Sequence, residues 1–390
     1  MDDALALVDE RLERLLAEHD PEGDRFEFMG AQFDLGLAWV WFPEGHGGLG
    51  LPPHLQRRVD ERLDAVTPHR PRSYDILGHG MGAPVLLAHG TEEQKRRYLR
   101  PMFTGEEIWC QLFSEPGAGS DLAGLATRAV RDGDEWVVNG QKVWTTVAHL
   151  ARWGMLVART DPELPKHRGL TYFLLDMQDP GVEVRPLRQI TGEAEFNEVY
   201  LTDARIPDAN RIGEVGEGWR VAMTTLMNER VAIGGTVTER GEGSIADLVE
   251  VWRRRPDPLH RDRVLRLWVD AEVARLTNLR AQENRDAGTP GPEGSTGKLV
   301  YAELNQRIYE EALALLGPEG MLYDSYEFRQ PDPEEPPSTD LRRRFLRVRA
   351  NSIEGGTSEI MRNIIGERVL GLPGEPRVDK DVPWSQIRRG

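Results

Sequence analysis

A segment of small and polar residues, Ser114-Glu-Pro-Gly-Ala-Gly-Ser-Asp121, can present its backbone to a ligand. Small side chains let backbone N–H groups approach a flat polar ring, although a glycine-rich turn alone is weak evidence and is often only structural. Further along the chain, Trp144, Thr145 and Thr146 offer one aromatic face and two hydroxyls. A tryptophan taken alone is more often a core residue than the wall of a binding site. Together, the two segments are a candidate site for a planar polar ligand.

Glu229 is a candidate general base. At about 100° per residue it shares one helical face with Ala222, Leu226 and Ile233. Burial in such an apolar stripe would raise the pKa of the carboxyl group toward the range that suits proton abstraction. The alternative is a buried ion pair with the adjacent Arg230 or with an interface partner.

The elements that must position these residues follow the order helices, strands, helices. Apolar residues recur at helical spacing over residues 4–105, and Thr91-Glu-Glu-Gln94 predicts the capped start of a helix. Over residues 108–207 the period changes to two, and Asn139-Gly140 is a strong signal for a hairpin turn. Helical spacing then returns. This order matches neither a Rossmann alternation nor a β/α barrel.

Composition excludes several classes of protein. The 390 residues carry 49 Lys+Arg against 65 Asp+Glu, a net charge of −16 that argues against nucleic-acid binding. A single cysteine, Cys110, cannot form an internal disulfide, so we expect a cytoplasmic protein. The acidic start is unlike a signal peptide, no apolar run is long enough to span a bilayer, and no metal-ligand spacing stands out.

A set of motifs follows one another along most of the chain: Gly45-His-Gly-Gly-Leu-Gly50, Gly90-Thr-Glu-Glu-Gln-Lys95, Ser114 to Asp121, Asn139-Gly-Gln-Lys-Val-Trp-Thr145, His167-Arg-Gly169, Ile206-Pro207 and Gly355-Gly-Thr-Ser-Glu-Ile360. In this order and spacing the motifs resemble the acyl-CoA dehydrogenase family of flavoproteins. The resemblance implies an α+β multidomain fold. We expect an N-terminal α-helical domain (1–107), a middle antiparallel β-barrel or sandwich domain (108–208) and a C-terminal four-helix bundle (209–390).

The resemblance also implies an FAD cofactor and names the residues that bind it. Those expected to contact the flavin or the adenosine side are Gln111, Leu112, Phe113, Ser114, Gly119, Ser120, Trp144, Thr145, Thr146, Thr357, Ser358 and Glu359. Those expected to contact the acyl-CoA substrate are Ser120, Arg230, Gly355 and Gly356.

The resemblance favours Glu229 over Glu354 as the catalytic base. In the common family pattern a glutamate stands immediately before Gly-Thr. In this chain the position before Gly356-Thr357 is Gly355, and Glu354 lies one residue earlier. In one branch of the family the base lies instead on the first helix of the last domain, where this chain has Glu229. Glu354 is then expected to be a solvated residue before a turn. The implied reaction is α,β-dehydrogenation of an acyl-CoA thioester to the trans-2-enoyl-CoA, with an electron-transferring flavoprotein as acceptor.

Two family features that serve the flavin of a neighbouring subunit are missing. The arginine of an Arg-Lys/Gln-x-Phe-Gly segment is absent after the helix of Glu229, and so is a glutamine before a Gly-Gly-x-Gly turn. One hypothesis is a heterotetramer like those of bacterial sterol side-chain degradation, in which a related chain supplies the arginine. The alternative is a homo-oligomer in which Arg240 or an arginine of 253–255 replaces it. A same-fold flavin oxidase or monooxygenase and a catalytically silent scaffold subunit also remain open, as does the acyl group.

Overall fold

A computed structural model describes residues 2–69, 71–72, 75–234, 237–286, 293–330 and 338–387. The chain divides into two compact units. Unit 1 comprises Met1–Leu187, Phe196–Thr225 and Val378–Gly390, and unit 2 comprises Arg188–Glu195 and Leu226–Arg377. Unit 1 therefore includes both the N-terminal helices and the strands, and the chain returns to it near its end. The three predicted domain boundaries stay a prediction.

The first part of unit 1 is helical, as predicted. Thr91 and Gln94 form a capping box, in which each side chain bonds the backbone N–H of the other residue, and the helix that follows ends at Gly105 with φ of 78°. The apolar stripe of the first helix, which includes Val8 and Leu12, is buried. The helices are α1 (Asp2–Glu18), α2 (Arg25–Asp34), α3 (Gln56–Asp64), α4 (Ala83–His89) and α5 (Glu92–Thr104).

The second part of unit 1 is one eight-stranded sheet with the order β6-β7-β3-β2-β4-β5-β8, and β1 pairs with β4 outside this path. The predicted β domain is therefore confirmed. Most neighbouring strands are antiparallel, but β1 and β2 each pair in parallel with β4. The strands are β1 (Trp109–Leu112), β2 (Arg128–Asp132), β3 (Glu135–Thr146), β4 (Trp153–Arg159), β5 (Leu170–Asp176), β6 (Val182–Leu187), β7 (Phe196–Pro207) and β8 (Arg211–Ile212).

The prediction of a hairpin turn at Asn139-Gly140 is wrong. The turn between β2 and β3 lies earlier, because Asp132 pairs with Glu135. Asn139 and Gly140 lie inside β3, where the register with β7 shifts. The Asn139 side-chain amide donates to the Asp203 carboxylate at 2.9 Å. Its amide oxygen accepts the backbone N–H of Asp203 at 3.0 Å. Val138 pairs with Ala204 and Gly140 pairs with Leu201, so the extra residue of this β-bulge lies on β7, where Asp203 has a φ of 50°.

The helices after the sheet are α6 (Gly218–Gly234), α7 (Ser244–Arg254), α8 (Arg261–Asp286), α9 (Glu293–Leu316), α10 (Leu341–Arg347) and α11 (Ser358–Ile364). The predicted C-terminal helical domain is thus confirmed. In unit 2, α7, α8 and α9 share a core that includes Leu248, Leu267 and Ile308. None of the helices in the described ranges is long and apolar enough to cross a membrane.

Helix α8 has apolar residues on two sides. Its inner side contributes Val264 and Leu267 to the core of unit 2. Its second apolar side, which we call the α8 stripe, consists of Leu265, Val269, Val273 and Leu276, each 48–58% exposed. Helix α8 is therefore apolar beyond its core-facing side.

Candidate functional site

Unit 1 brings the two predicted flavin segments side by side. The N–H of Val143 donates to the carbonyl of Ser114 at 2.9 Å, which joins the glycine-rich segment to β3. Leu112 and Phe113 direct their side chains into the core, so only their backbone can face a ligand. Gln111 and Ser114 are half-buried, whereas Gly119 and Ser120 are exposed. A Cβ at Gly119 would meet nothing within 4 Å, so there is open space beside this segment.

A fully buried lysine holds this arrangement. Lys142 Nζ donates at 2.9 Å to each of three acceptors: the carbonyls of Phe113 and Val157 and the carboxylate of Glu115. Glu115 also accepts the N–H groups of residues 126 and 127 at 2.6 and 2.9 Å. Burial lowers the pKa of Lys142. It also acts to raise the pKa of Glu115, but Lys142 and the N–H donors outweigh burial and leave that pKa below its ordinary value.

Sequence reasoning missed the role of Lys142, although a signal was present. In a strand, alternate side chains point to the same face, and Trp136 and Val138 face the core. Lys142 has the same parity along β3 and is also buried. A lysine on the inward parity of a buried strand needs a fixed partner, because an unpaired buried charge is costly.

The end of β3 carries groups that suit a planar ligand. The Trp144 side chain is 56% exposed, and its backbone has a φ of 63°, which is uncommon for a residue with a side chain. Phe196 packs edge-on against the Trp144 ring at 5.9 Å. Thr145 Oγ1 is buried and bonds no other group among the described residues. An exposed indole beside an unsatisfied hydroxyl fits a ring system with polar edges.

Unit 2 gathers the second group of predicted site residues around another buried lysine. Lys298, in α9, is fully buried, and its Nζ donates to the carbonyls of Asn351 and Gly356 at 2.8 and 2.5 Å. Gly355 and Gly356 have φ of 64° and 95°, so this turn requires glycine. Burial lowers the pKa of Lys298, and three glutamates oppose that effect: Glu354, Glu229 and Glu359. These three carboxylates therefore lie within electrostatic range of one ammonium group.

The expectation that Glu354 is simply solvated is wrong. Its carboxylate is half-buried and accepts two bonds from the Arg347 guanidinium, at 3.1 and 3.3 Å. The Asn351 amide donates to the same carboxylate at 2.6 Å. A guanidinium and an amide occupy the oxygens of this carboxylate. Glu354 is therefore a structural ion-pair member.

Glu229 lies in α6 on the side that carries the buried residues Ala222 and Thr225. Its own side chain is half-buried and lies within electrostatic range of Lys298. The side chains of Arg230 and Ile233 lie outside the described residues. Glu229 is thus a half-buried glutamate of α6 within electrostatic range of a buried cation.

The segment expected on the adenosine side begins α11. The Thr357 hydroxyl caps this helix by accepting the N–H of Ile360 at 3.2 Å. Ser358 is buried, and its Oγ bonds no other group among the described residues. Glu359 is exposed. Buried hydroxyls without a partner therefore occur at predicted cofactor residues in both units, at Thr145 and at Ser358.

Comparison with protein families accounts for these features. Models of the acyl-CoA dehydrogenase N-terminal, middle and C-terminal domains match residues 1–106, 110–204 and 216–370. The chain is also 40% identical to the acyl-CoA dehydrogenase IpdE1 of Mycobacterium tuberculosis over 365 residues, which cover 92% of this chain and 91% of that protein. The chain belongs to the acyl-CoA dehydrogenase family. The oxidoreductase class and the FAD cofactor expected from the sequence are those of this family.

Solved structures of acyl-CoA dehydrogenases share this fold. The ChsE4-ChsE5 complex from Mycobacterium tuberculosis superposes with a TM-score of 0.70 at 28% identity, covering 94% of this chain and 93% of that one. A single-residue variant of the Tcur3481-Tcur3483 steroid ACAD has a TM-score of 0.70 at 26% identity, covering 95% of this chain and 99% of that one.

The residues present fit FAD. Unit 1 offers an exposed indole, an open glycine segment and the free hydroxyl of Thr145. Unit 2 offers the free hydroxyl of Ser358 next to a turn of two glycines. The groups of unit 1 suit a planar ring with polar edges, and those of unit 2 suit a hydroxyl-rich or phosphate group, so each unit fits a different part of FAD.

Proposed function

We propose that this acyl-CoA dehydrogenase removes the α- and β-hydrogens of an acyl-CoA thioester to give the trans-2-enoyl-CoA, with Glu229 as the base. The α-proton goes to the Glu229 carboxylate. FAD, when bound, accepts the β-hydrogen as a hydride, so one C–H bond breaks heterolytically on each carbon and the C=C bond forms. Two electrons leave the substrate, and the proposed final acceptor is an electron-transferring flavoprotein.

The observation that carries the choice of base is that other side chains already hold Glu354. Arg347 and Asn351 donate to its carboxylate, so fixed donors occupy the oxygens that a substrate proton would have to reach. Glu229 is half-buried in α6 and lies within electrostatic range of Lys298.

The remaining residues bind and orient the substrate. The thioester carbonyl needs hydrogen-bond donors where negative charge develops, and backbone N–H groups of Gly355 or Gly356 are proposed for this role. Both glycines have positive φ, which fixes the direction of their N–H groups. Ser120, exposed at the end of the glycine-rich segment, is proposed to contact the thioester end of the substrate. Arg230 is proposed as a further substrate contact.

Anaerobic titration with acyl-CoA thioesters, followed by bleaching of the flavin band, tests the proposal. The panel should contain short, branched, long and steroid-derived acyl groups, since one similar structure is described as a steroid ACAD. We expect Glu229→Gln to slow bleaching by about 10²–10⁴-fold, the usual contribution of a general base. Glu354→Gln is the matched control and should bleach at a rate close to wild type.

The two variants separate the alternatives. Fast bleaching of Glu229→Gln together with slow bleaching of Glu354→Gln would assign the base to Glu354. Equally fast bleaching of both would remove the proposed base and favour an oxidase or monooxygenase. A protein that binds no flavin, even beside a partner chain, would be a scaffold subunit. The cytoplasmic location stays a prediction.

We also propose that the α8 stripe binds a related acyl-CoA dehydrogenase chain in a heterotetramer. The similar structures include assemblies named for two chains, ChsE4-ChsE5 and Tcur3481-Tcur3483. Three of the arginines that could replace the missing cross-subunit arginine have partners within unit 2: Arg240 lies over the ring of Trp268, Arg254 pairs with Glu250, and Arg255 pairs with Glu319. A related chain that supplies the missing arginine fits these contacts.

Co-expression and co-purification with a related acyl-CoA dehydrogenase chain test the heterotetramer. Val273→Asp places a charge in the centre of the α8 stripe and should release the partner and the bound flavin. Leu259→Asp, at an 86% exposed position outside the stripe, is the control and should retain both. A homotetramer of this chain alone with one FAD per chain would overturn the proposal.

A further inference from the structure

Residues 378–387, which we call the tail, belong to unit 1 and follow the last residue that the family models match. The backbone of the tail is bonded to the loop between β4 and β5. The N–H of Trp384 donates to the carbonyl of Leu164 at 3.0 Å, and the N–H of Ser385 donates to the carbonyl of Pro162 at 2.9 Å. These bonds fix the tail on unit 1.

The Trp384 side chain reaches a second loop, which directly follows the glycine-rich segment. Its indole Nε1 donates to the carbonyl of Gly124 at 3.0 Å. The carbonyls on either side, those of Ala123 and Leu125, accept from the buried guanidinium of Arg159 at 2.6 and 3.1 Å. Side chains therefore hold three consecutive carbonyls of this loop, and one of these side chains comes from the tail.

Trp384 also covers the guanidinium that makes the other two bonds. The Cζ atom of Arg159 lies 4.3 Å from the centre of the indole ring, within the range of a cation–π interaction. Arg159 Nη1 donates to the carbonyl of Lys166 at 3.3 Å, so the same guanidinium joins the two loops. Hydrogen bonds from a charged donor are stronger where water is excluded. Removing the indole would therefore weaken all of these bonds.

A lysine provides a second link between the tail and the glycine-rich segment. Lys166 Nζ lies 2.9 Å from the carboxylate of Asp121 and 2.6 Å from that of Asp379 in the tail. The Asp121 side chain is exposed, and ion pairs that water screens contribute little. We therefore expect the contacts of Trp384 to hold the loop more firmly than the Lys166 bridge does.

We propose that the tail positions Ser120 for the substrate, with Trp384 as the main positioning residue. The contacts described above hold residues 121–125, and Ser120 directly precedes them. Gly119, on the other side of Ser120, has open space beside it, so packing at Gly119 does not restrain Ser120. This inference rests on the proposed contact of Ser120 with the thioester end of the substrate.

Two measurements on flavin-loaded Trp384→Ala test the proposal, with FAD added in excess. Amide hydrogen exchange over residues 119–126 should become about tenfold faster, while β4 and β5 exchange as in wild type. The KM for an acyl-CoA thioester of the titration panel should rise about 5–10-fold, with kcat within about twofold of wild type. A contact that helps bind the substrate equally before and during the reaction affects KM alone.

Trp384→Phe is the conservative variant. It keeps an aromatic face over Arg159 but loses the N–H that is donated to Gly124. Its KM should therefore lie between those of wild type and Trp384→Ala. If Trp384→Ala does not fold, Trp384→Phe takes its place, and a wild-type KM would then count against the proposal.

Asp379→Asn and Asp381→Asn form a matched pair, because each removes one negative charge from the tail. Asp379 bonds Lys166, whereas Asp381 is exposed and pairs with none of the residues that the structure describes. Asp379→Asn should raise KM about twofold, the size expected for a partly exposed ion pair. Asp381→Asn should keep the wild-type KM, and an equal rise in both variants would contradict the proposed contact.

The outcomes for Trp384→Ala separate the levels of inference. Unchanged exchange over residues 119–126 would overturn the proposal, and so would faster exchange throughout unit 1, since this would show only a general loss of stability. A wild-type KM in an active enzyme would overturn this proposal alone. If no thioester reduces the wild-type flavin, the proposed function and the substrate contact of Ser120 fail together, even where exchange shows that the tail restrains the segment.

Discussion

Each compact unit contains a fully buried lysine beside a loop of predicted site residues, but the two lysines are compensated differently. Lys142 in unit 1 forms a contact ion pair with Glu115 at 2.9 Å. Lys298 in unit 2 donates to the carbonyls of Asn351 and Gly356, and its carboxylate neighbours act through their fields. A charge cancelled on contact stabilises the local shape, whereas a charge bound only by dipoles also influences groups around it.

The comparison also separates the proposed work of the two loops. The glycine-rich segment of unit 1 has open space beside it and an aromatic neighbour, which suits binding of a flat ring. The Gly355-Gly356 turn of unit 2 has positive φ at both residues and three glutamates around its lysine, which suits chemistry that moves a proton. Three substitutions and one pH series test this difference between the two regions.

Lys142→Met should have the largest effect. It leaves the Glu115 carboxylate buried without its cation, and breaking a buried pair in this way costs about 3–5 kcal/mol. Urea unfolding should show this loss, and the FAD retained per chain should fall. Lys142→Met combined with Glu115→Gln removes both charges and should recover part of the stability. Equal stability of the single and the double variant would mean that the contact pair contributes little.

Lys298→Met should destabilise the protein less than Lys142→Met. The groups that it leaves behind include two neutral carbonyls, and an unsatisfied buried acceptor costs about 1–3 kcal/mol. The same urea experiment measures both variants. A loss for Lys298→Met as large as that for Lys142→Met would erase the distinction between a contact pair and a dipole-bound charge.

Gly356→Ala should cost about 1–2 kcal/mol, because a φ of 95° is strained for any residue with a Cβ. The new Cβ would also lie 2.6 Å from Met361 Cε, although that methyl group can move. Gly119→Ala is the counterpart in unit 1. Its Cβ would meet nothing, so its stability should stay within about 0.5 kcal/mol of wild type. Thermal unfolding of both variants compares the loops directly, and similar losses would contradict the comparison.

The pH dependence of stability should show the smallest effect. The pKa of Glu115 lies below its ordinary value of 4.5 in the folded protein, so the unfolded chain binds the proton more tightly. The resulting stabilisation is present above pH 4.5 and is lost as the pH falls through the folded pKa. Urea midpoints measured from pH 6 downward should decline in this window for wild type and decline less for Glu115→Gln. Parallel declines would show that Glu115 is not the cause.

Much of the fold follows from local sequence patterns. The capping box at Thr91 and Gln94 formed as predicted, because its bonds are made within one turn of a helix. The change from a helical period to a period of two located the sheet. The pattern did not reveal that Asn139-Gly140 lies inside a strand opposite a β-bulge, because the extra residue of that bulge is on β7, between Leu201 and Ala204.

The candidate site was likewise predicted only in part from the sequence. Residue types and motif order identified the family, the flavin segments and two competing glutamates. The sequence did not show that Glu354 would be held by Arg347 and Asn351, since neither is signalled by the Gly-Gly-Thr motif. Nor did it single out Lys298, although its helical spacing from Ala302 and Asn305 marks a buried side of α9.

The sequence by itself determined the order of elements, the family and the types of group available for chemistry, because these depend on neighbouring residues and on motif spacing. Only the tertiary structure decided which buried charges meet. Glu115 lies 27 positions from Lys142, and Gly356 lies 58 positions from Lys298. Compensation of a buried charge depends on distances in space, and these are set only when the whole unit has packed.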